Sequence, residues 1–223
     1  EEEGYNTSEI PELIIENNLY GFEIDERAAQ LSGLALMMKA REYHRRVFNK
    51  ELKPNTLCFH DLHVSKDEIN DLSKSTQIQV SDELMHDLLL MQQATNFGSL
   101  VIPHAHRSKI ESVLDKFTLL LPDADVFQRN NVEAIIASLK QLLLLVQKFH
   151  CVVTNPPYIN SRSMNLPLSD FVKSNYPDSK EDLMACFMES GLAMLIRGGF
   201  LGMINQHSWM FLSSYDGLRK KLV

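Results

Sequence analysis

The 223-residue chain carries only three cysteines, Cys58, Cys151 and Cys186, and none of them forms a CxxC pair. That argues against a disulfide framework and against a thiolate zinc site, and it fits the reducing cytoplasm. No signal peptide is visible and no apolar run approaches the ~20 residues of a membrane span, so no membrane partner is expected. The run Leu142 to Val146 has the length of a core helix face. Positive charge is also short. A net charge of −7 speaks against this stretch gripping a nucleic acid backbone by itself. The histidine pairs His60/His63 and His104/His106 lack an organised third ligand, so no metal site is expected. The chain has no initiator Met and opens on Glu1-Glu2-Glu3, which reads as a fragment of something longer.

What is present centres on Cys151-Val152-Val153-Thr154-Asn155-Pro156-Pro157-Tyr158. Val-Val-Thr suits a buried parallel strand. Two prolines then forbid both ladder pairing and helix, and Asn155, before a proline, is pushed toward extended geometry. Asn155 and Tyr158 are thus expected on a stiff turn at the carboxyl end of a strand, the edge where open α/β sheets bind ligands. An exocyclic amine on an aromatic base is a poor nucleophile because its lone pair is delocalised into the ring. The amide oxygen of Asn155 and the carbonyl of Pro156 would each accept one N–H and favour a pyramidal nitrogen. Tyr158 offers a face for a flipped-out base, worth about 1–3 kcal/mol. The competing reading is a strand followed by an ordinary Pro-Pro turn. Tyr158 and the preceding Val-Val-Thr favour the site.

Upstream, Asn18 to Asp25 reads as a short strand ending in acids, with a short helix around Ile10–Glu16 before it. A helix over Glu26 to about Phe48 follows, with Ala28, Leu31, Leu34, Ala35 and Met38 at helical spacing. An acid at a strand end before a helix is how nucleotide-binding α/β folds hold ribose hydroxyls, which makes Glu23 a candidate ligand. Asp25 would cap the next helix. Capping acids with no ligand remain the alternative. Lys53 to Asp61 is the next strand candidate. Helical spacing recurs over Asp82–Ala94, Lys109–Leu120 and Val132–Lys148, with starts at Ser81 and Asn131. Ile159 to Ser179, holding Pro167 and Pro177, reads as a mobile loop over the site. A helix from Lys180 to about Ile196 would end at Arg197-Gly198-Gly199. A buried strand Phe200–Ile204 and a last helix over Ser213–Val223 complete the chain.

Asn-Pro-Pro-Tyr after a hydrophobic strand resembles the catalytic motif of S-adenosylmethionine-dependent amino-methyltransferases, above all the adenine-N6 DNA methyltransferases. The tetrapeptide also occurs in enzymes that methylate the glutamine amide of release factors and guanine N2 of ribosomal RNA. Gly21-Phe22-Glu23-Ile24-Asp25 is similar to that family's second cofactor motif, which implies that Ile24 packs against the cofactor adenine. Asp61 matches the third motif, whose carboxylate takes the adenine amino group. The helix, Gly-Gly turn, strand and Gln-His-Ser-Trp ending resemble the fifth and sixth motifs, with Asp182 in the fifth, near the cofactor. The resemblance covers 19–61 and 150–223. The long gap before the tetrapeptide looks most like the large methyltransferases of phage-exclusion (BREX-type) and fused restriction–modification systems.

The resemblance implies an α/β fold, doubly wound around a mostly parallel sheet, with a helical insertion. Residues 1–61 would be the first part of the cofactor-binding half. Residues 62–149 would be insertion and cross-over helix, and 150–223 the catalytic half. The implied reaction moves a methyl group from S-adenosylmethionine to adenine N6 in DNA. Asn155, Pro156, Pro157 and Tyr158 would be catalytic, and Glu23, Ile24, Asp61 and Asp182 would hold the cofactor. The family's Gly-rich first motif is missing; its strand lies between those carrying Glu23 and Asn155, so two half-sheets with open edges are expected. DNA is the expected partner, through regions largely elsewhere. Another copy or other defence-system subunits are further candidates. The fragment alone would be inactive. An RNA or protein-glutamine methyltransferase and a non-catalytic assembly fragment stay open as alternatives, as does a spacer role for the insertion.

Overall fold

The computed structural model describes residues 4–49 and 51–222. The acidic opening Glu1–Glu3 and the final Val223 lie outside it. The chain is a mixed α/β structure with parallel strands. Helix α1 (Ile10–Asn17) leads into β1 (Tyr20–Glu23), and α2 (Glu26–Tyr43) crosses to β2 (Asn55–Cys58), which pairs parallel with β1. Asp25 caps α2 by accepting from Ala28 N–H at 2.9 Å, supplying a partner for one orphan donor of the first turn.

Helices α3 (Lys66–Thr76), α4 (Asp82–Leu90), the single turn α5 (Ala94–Phe97), α6 (Arg107–Leu120) and α7 (Val126–Leu145) fill the stretch between the strand pairs. Then come β3 (Phe149–Thr154), α8 (Leu166–Asn175), α9 (Leu183–Ala193), β4 (Leu195–Met203), parallel to β3, and α10 (Asp216–Leu222). No helix of the described residues is long and apolar enough to cross a membrane.

Three sequence expectations are corrected and one helix is added. Helix α7 begins at Val126, so Asn131 lies inside it rather than starting it. Helix α3 was missed because only Ile69 and Leu72 mark its buried side; a Ser65–Glu68 capping box starts it. The expected loop 159–179 contains α8, whose Leu168, Phe171 and Val172 are buried. Pro167 is no breaker there, because it stands in the first turn, where a missing N–H costs nothing. Finally, α9 stops at Ala193, and Gly198-Gly199 lie within β4 instead of ending a helix. Gly198 has φ +80, and a Cβ at Gly199 would meet the His150 carbonyl oxygen at 3.0 Å. The pair accommodates a register break opposite Phe149–Cys151.

The largest core joins Phe59, Leu62 and Val64 to residues of α3 through α9, so the helices of 62–149 share one interior with the flanking strands. Helix α7 is its spine, with Ile135, Leu139 and Leu142 fully buried. Buried Gln141 on that helix accepts from His60 N–H at 3.0 Å and donates to His60 C=O at 3.2 Å. It thereby replaces a strand neighbour just beyond β2.

The two strand pairs are separate two-stranded sheets. A cleft of about 860 Å³ lies between β1 and β3, lined by Tyr20, Gly21 and Phe22 on one side and Phe149 to Thr154 on the other. The Phe149 ring reaches across to Tyr20 and Phe22, with centroids 5.4 and 6.0 Å away. On one face of β3/β4, Val153 and Phe200 are 79% and 75% exposed. The apolar spacing of α2 also faces outward, with Leu31, Leu34 and Met38 all exposed.

Candidate active site

The carboxyl ends of β1 and β3 open on one cavity of about 720 Å³. Its walls include Glu23 and Ile24 beyond β1 together with Asn155, Pro156, Pro157 and Tyr158 beyond β3. Residues read from two segments more than a hundred positions apart in the sequence therefore face the same space.

Each is held by local chemistry. The Glu23 carboxylate accepts the backbone N–H of Ile24 at 2.8 Å and of Asp25 at 3.1 Å, both through Oε1. This fixes the side chain, and among the described residues no hydrogen bond reaches Oε2, which leaves it open for a ligand hydroxyl. Ile24 is half exposed, and its side chain lies against Gly98, where a Cβ would come within 3.0 Å of Ile24 Cγ2. Gly98 has φ +52 and ψ −136, a backbone region that only glycine occupies without strain. Pro156 is buried while Asn155, Pro157 and Tyr158 are exposed, as a rigid corner with its polar and aromatic groups turned outward requires. Tyr158 donates its hydroxyl to Ile204 C=O at 2.8 Å, beyond the end of β4.

The two remaining predicted residues stand elsewhere. Asp61, beyond β2, is absent from the cavity wall. Its Oδ1 accepts the Thr95 N–H at 2.8 Å, and both oxygens accept the Thr95 hydroxyl at 3.0 Å. Thr95 itself is on the wall. Asp182 caps α9, accepting from Met184 N–H at 2.9 Å. Partial burial raises its carboxyl above the usual range, opposed by that hydrogen bond. Its neighbour Leu183 lines the cavity, as does Phe187 one turn later.

Sequence reasoning missed the contribution of residues 95–100, which form the wall facing Ile24. Thr95 is tied to Asp61, and Phe97 stacks on Phe171 with centroids 4.2 Å apart and planes 13° apart. Ser190 donates to Ser99 C=O at 2.6 Å and Tyr176 donates to Leu100 C=O. The stretch is thus a braced part of the cavity wall. The Gly at 98, inside an otherwise helical region, was the one available signal of a close backbone approach.

Two curated proteins align along nearly the whole chain. An adenine-specific methyltransferase BrxX of Escherichia coli O9:H4 (strain HS) is 36% identical over 242 residues, covering 98% of this chain and 20% of that protein. An adenine-specific methyltransferase PglX of Lacticaseibacillus casei (strain Zhang) is 33% identical over 226 residues, covering 99% of this chain and 19% of that protein. The chain thus spans about a fifth of the length of these relatives. The family model described as Eco57I restriction-modification methylase matches residues 17–223, from the turn before the Glu23 strand through the Asn-Pro-Pro-Tyr corner to the last helix, and the chain belongs to that family.

Proposed function

We propose that this chain forms the catalytic core of an enzyme that methylates adenine N6 in DNA with S-adenosylmethionine as donor. The observation that supports it is the convergence of Glu23–Ile24 and Asn155–Tyr158 on one cavity. The adenine specificity carried in the relatives' names favours this reading over an RNA or glutamine substrate. A role in phage defence beside other subunits is read from the match to a restriction-modification methylase family. The three free cysteines accord with work in the cytoplasm.

The residues fit the donor. The open Oε2 of Glu23 suits a ribose hydroxyl, and Ile24, with Phe187 in the same cavity, gives an apolar seat for an adenine ring. Bound there, S-adenosylmethionine would supply a methyl group on a sulfonium that is already an activated leaving group. Asn155 Oδ1 and the Pro156 carbonyl accept the two hydrogens of the target amine and turn its lone pair toward the methyl. Tyr158 stacks the base and holds its plane. Asp61 acts at one remove by fixing Thr95, and Asp182 by fixing the start of α9 below Leu183. Orientation supplies most of the rate, and no covalent intermediate on the chain is needed.

The two strand pairs are read as halves of one doubly wound parallel sheet, with a further strand entering the cleft between β1 and β3. Each pair is parallel, residues of β1 and β3 line the cleft, and among the described residues β1 pairs only with β2 and β3 only with β4.

The test is transfer of a tritiated methyl group to unmethylated phage DNA by the full-length protein that carries this chain. Asn155→Ala is expected to lower transfer about a hundredfold, the scale of losing one preorganised polar contact to the reacting centre. Undiminished transfer, or transfer only to a release-factor peptide, sinks the reading.

A further inference from the structure

Asn96, in α5, and Asn165, the N-cap of α8, meet across the cavity wall from positions far apart in the chain. Asn96 Nδ2 donates to Asn165 Oδ1 at 3.1 Å, and Asn165 Nδ2 donates to Asn96 Oδ1 at 2.9 Å. Two planar carboxamides joined this way form a closed two-bond ring. The orientation is fixed by the surroundings, because Asn165 Oδ1 also accepts the Leu168 N–H at 3.0 Å, which only an oxygen can do.

Counting donors and acceptors leaves the ring lopsided. Asn96 uses its second N–H on Gln93 Oε1 at 3.3 Å, and Asn165 uses its second oxygen lone pair on Leu168. Both of those lie on one edge of the ring. The opposite edge holds Asn96 Oδ1, with one lone pair left, beside Asn165 Nδ2, with one hydrogen left. Among the described residues no second hydrogen bond reaches either atom. An acceptor and a donor thus stand side by side, 2.9 Å apart, on residues that both line the cavity with Glu23 and Asn155.

Adenine presents the complement of that edge, a 6-amino donor beside a ring-nitrogen acceptor, which is why carboxamides read it bidentately. We propose that the free edge of the Asn96–Asn165 pair binds an adenine ring in this cavity. The proposal rests on the methyl-transfer reading, under which the cofactor's adenine is the one with a free 6-amino group, because Asn155 and Pro156 take both hydrogens of the target amine. The pair also joins the 62–149 helices to the segment after the tetrapeptide, so the adenine would be read where the two walls are clasped.

Calorimetric titration of the full-length protein with S-adenosylhomocysteine and S-inosylhomocysteine tests it. The second ligand carries a 6-oxo group in place of the amino donor. The wild type is expected to prefer the adenosyl form about tenfold or more. Asn165→Asp keeps the α8 cap and still accepts from Asn96 Nδ2, but it loses the donor that closes the ring and supplies the free edge. It is expected to bring the preference close to one in a protein that still unfolds cooperatively, with a melting temperature lowered by the loss of one hydrogen bond. An unchanged preference, even with a raised KM for unmethylated phage DNA, removes the cofactor's adenine from the pair and overturns the proposal. Asn165→Ser, a neutral cap without the amide, repeats the measurement if the Asp variant misfolds and separates lost recognition from added charge. Wild-type preference and wild-type KM in both variants overturn the proposal and leave the pair a clasp. A wild type that binds neither nucleoside overturns the methyl-transfer reading instead.

Discussion

The hydroxyl of Tyr158 and the carbonyl of Ile204 are joined at 2.8 Å, so the aromatic ring of the tetrapeptide is tethered to the chain beyond the neighbouring strand. Ile204 in turn donates its N–H to Thr154 C=O at 3.4 Å, directly before the Asn155 corner. Ring, corner and strand end form one closed circuit. A base stacked on Tyr158 would therefore meet a surface whose tilt is set by β3 and β4 and not by side-chain rotation alone.

Tyr158→Phe keeps the ring and loses the tether. Its cost is expected to be a single hydrogen bond, about 1 kcal/mol, seen as less than about a tenfold fall in kcat/KM. Tyr158→Ala removes the stacking face as well and is expected to lose about 1–3 kcal/mol more. Steady-state kinetics on unmethylated DNA separates them. If Phe is as damaging as Ala, the ring's face is not what the substrate uses.

Asp61 and Thr95 are expected to behave as one unit. If the carboxylate acts by holding Thr95 on the wall, Thr95→Val and Asp61→Ala should weaken S-adenosylhomocysteine binding in the same direction. Asp61→Asn, which retains an oxygen for the Thr95 N–H, should be milder than Asp61→Ala. Strong loss in both Asp61 variants with none in Thr95→Val would instead place the carboxylate on the cofactor itself. Isothermal titration reads all three.

Gln141 satisfies both backbone groups of His60 from the middle of α7. It is 4% exposed, so Gln141→Leu leaves the part-buried N–H and C=O of His60 without their partner. The expected loss is about 2 kcal/mol or more of unfolding free energy, measured by urea denaturation. Lys140→Ala, on the exposed side of the same helix, should stay within about 0.5 kcal/mol. Equal effects would mean that His60 finds other partners.

The parts of this fold written in local chemistry could be read from the sequence. The Asp25 cap, the β1 and β2 cores and the proline corner each depend on a few adjacent residues. Periodicity also marked the apolar side of α2, yet Leu31, Leu34 and Met38 stand exposed, because spacing reports a face and not what covers it. Pro167 and Gly198-Gly199 misled for a related reason: proline and glycine signal special backbone, and only context says whether that is a helix start, a bulge or a stop. The wall at 95–100 was illegible. Asn96 meets Asn165 through folding alone, and nothing beside either residue announces the other.

Burial pushes the Cys186 thiol up to about 12 from its ordinary 9.0, and Tyr176 is raised for the same reason. The folded state keeps protons there that the unfolded chain sheds from pH 9 upward. Stability should therefore be full below that pH and fall progressively toward pH 12. Denaturant midpoints at pH 8 and 11 are expected to differ less in Cys186→Ala than in the wild type. At pH 8 iodoacetamide should label exposed Cys151 and spare Cys186. Rapid labelling of Cys186 in the folded protein would contradict its burial.

The open cleft between β1 and β3 makes a prediction that separates the 223-residue chain from the full-length protein. Val153 and Phe200 lie on one face of β3/β4 and are almost bare. Apolar sheet faces and unpaired edges of this kind promote association. Expressed by itself, the chain is expected to bind an apolar dye such as ANS and to self-associate, and Val153→Glu should reduce both by placing charge on that face. In the full-length protein the same substitution should act in the opposite direction. A strand in the cleft, with the helix that must cover it, would bury residue 153, and an unpaired carboxylate there is expensive. Val153→Glu should then lower the melting temperature and abolish methyl transfer. A full-length Val153→Glu protein with wild-type stability would show that this face stays open to solvent and that the two sheets are not joined.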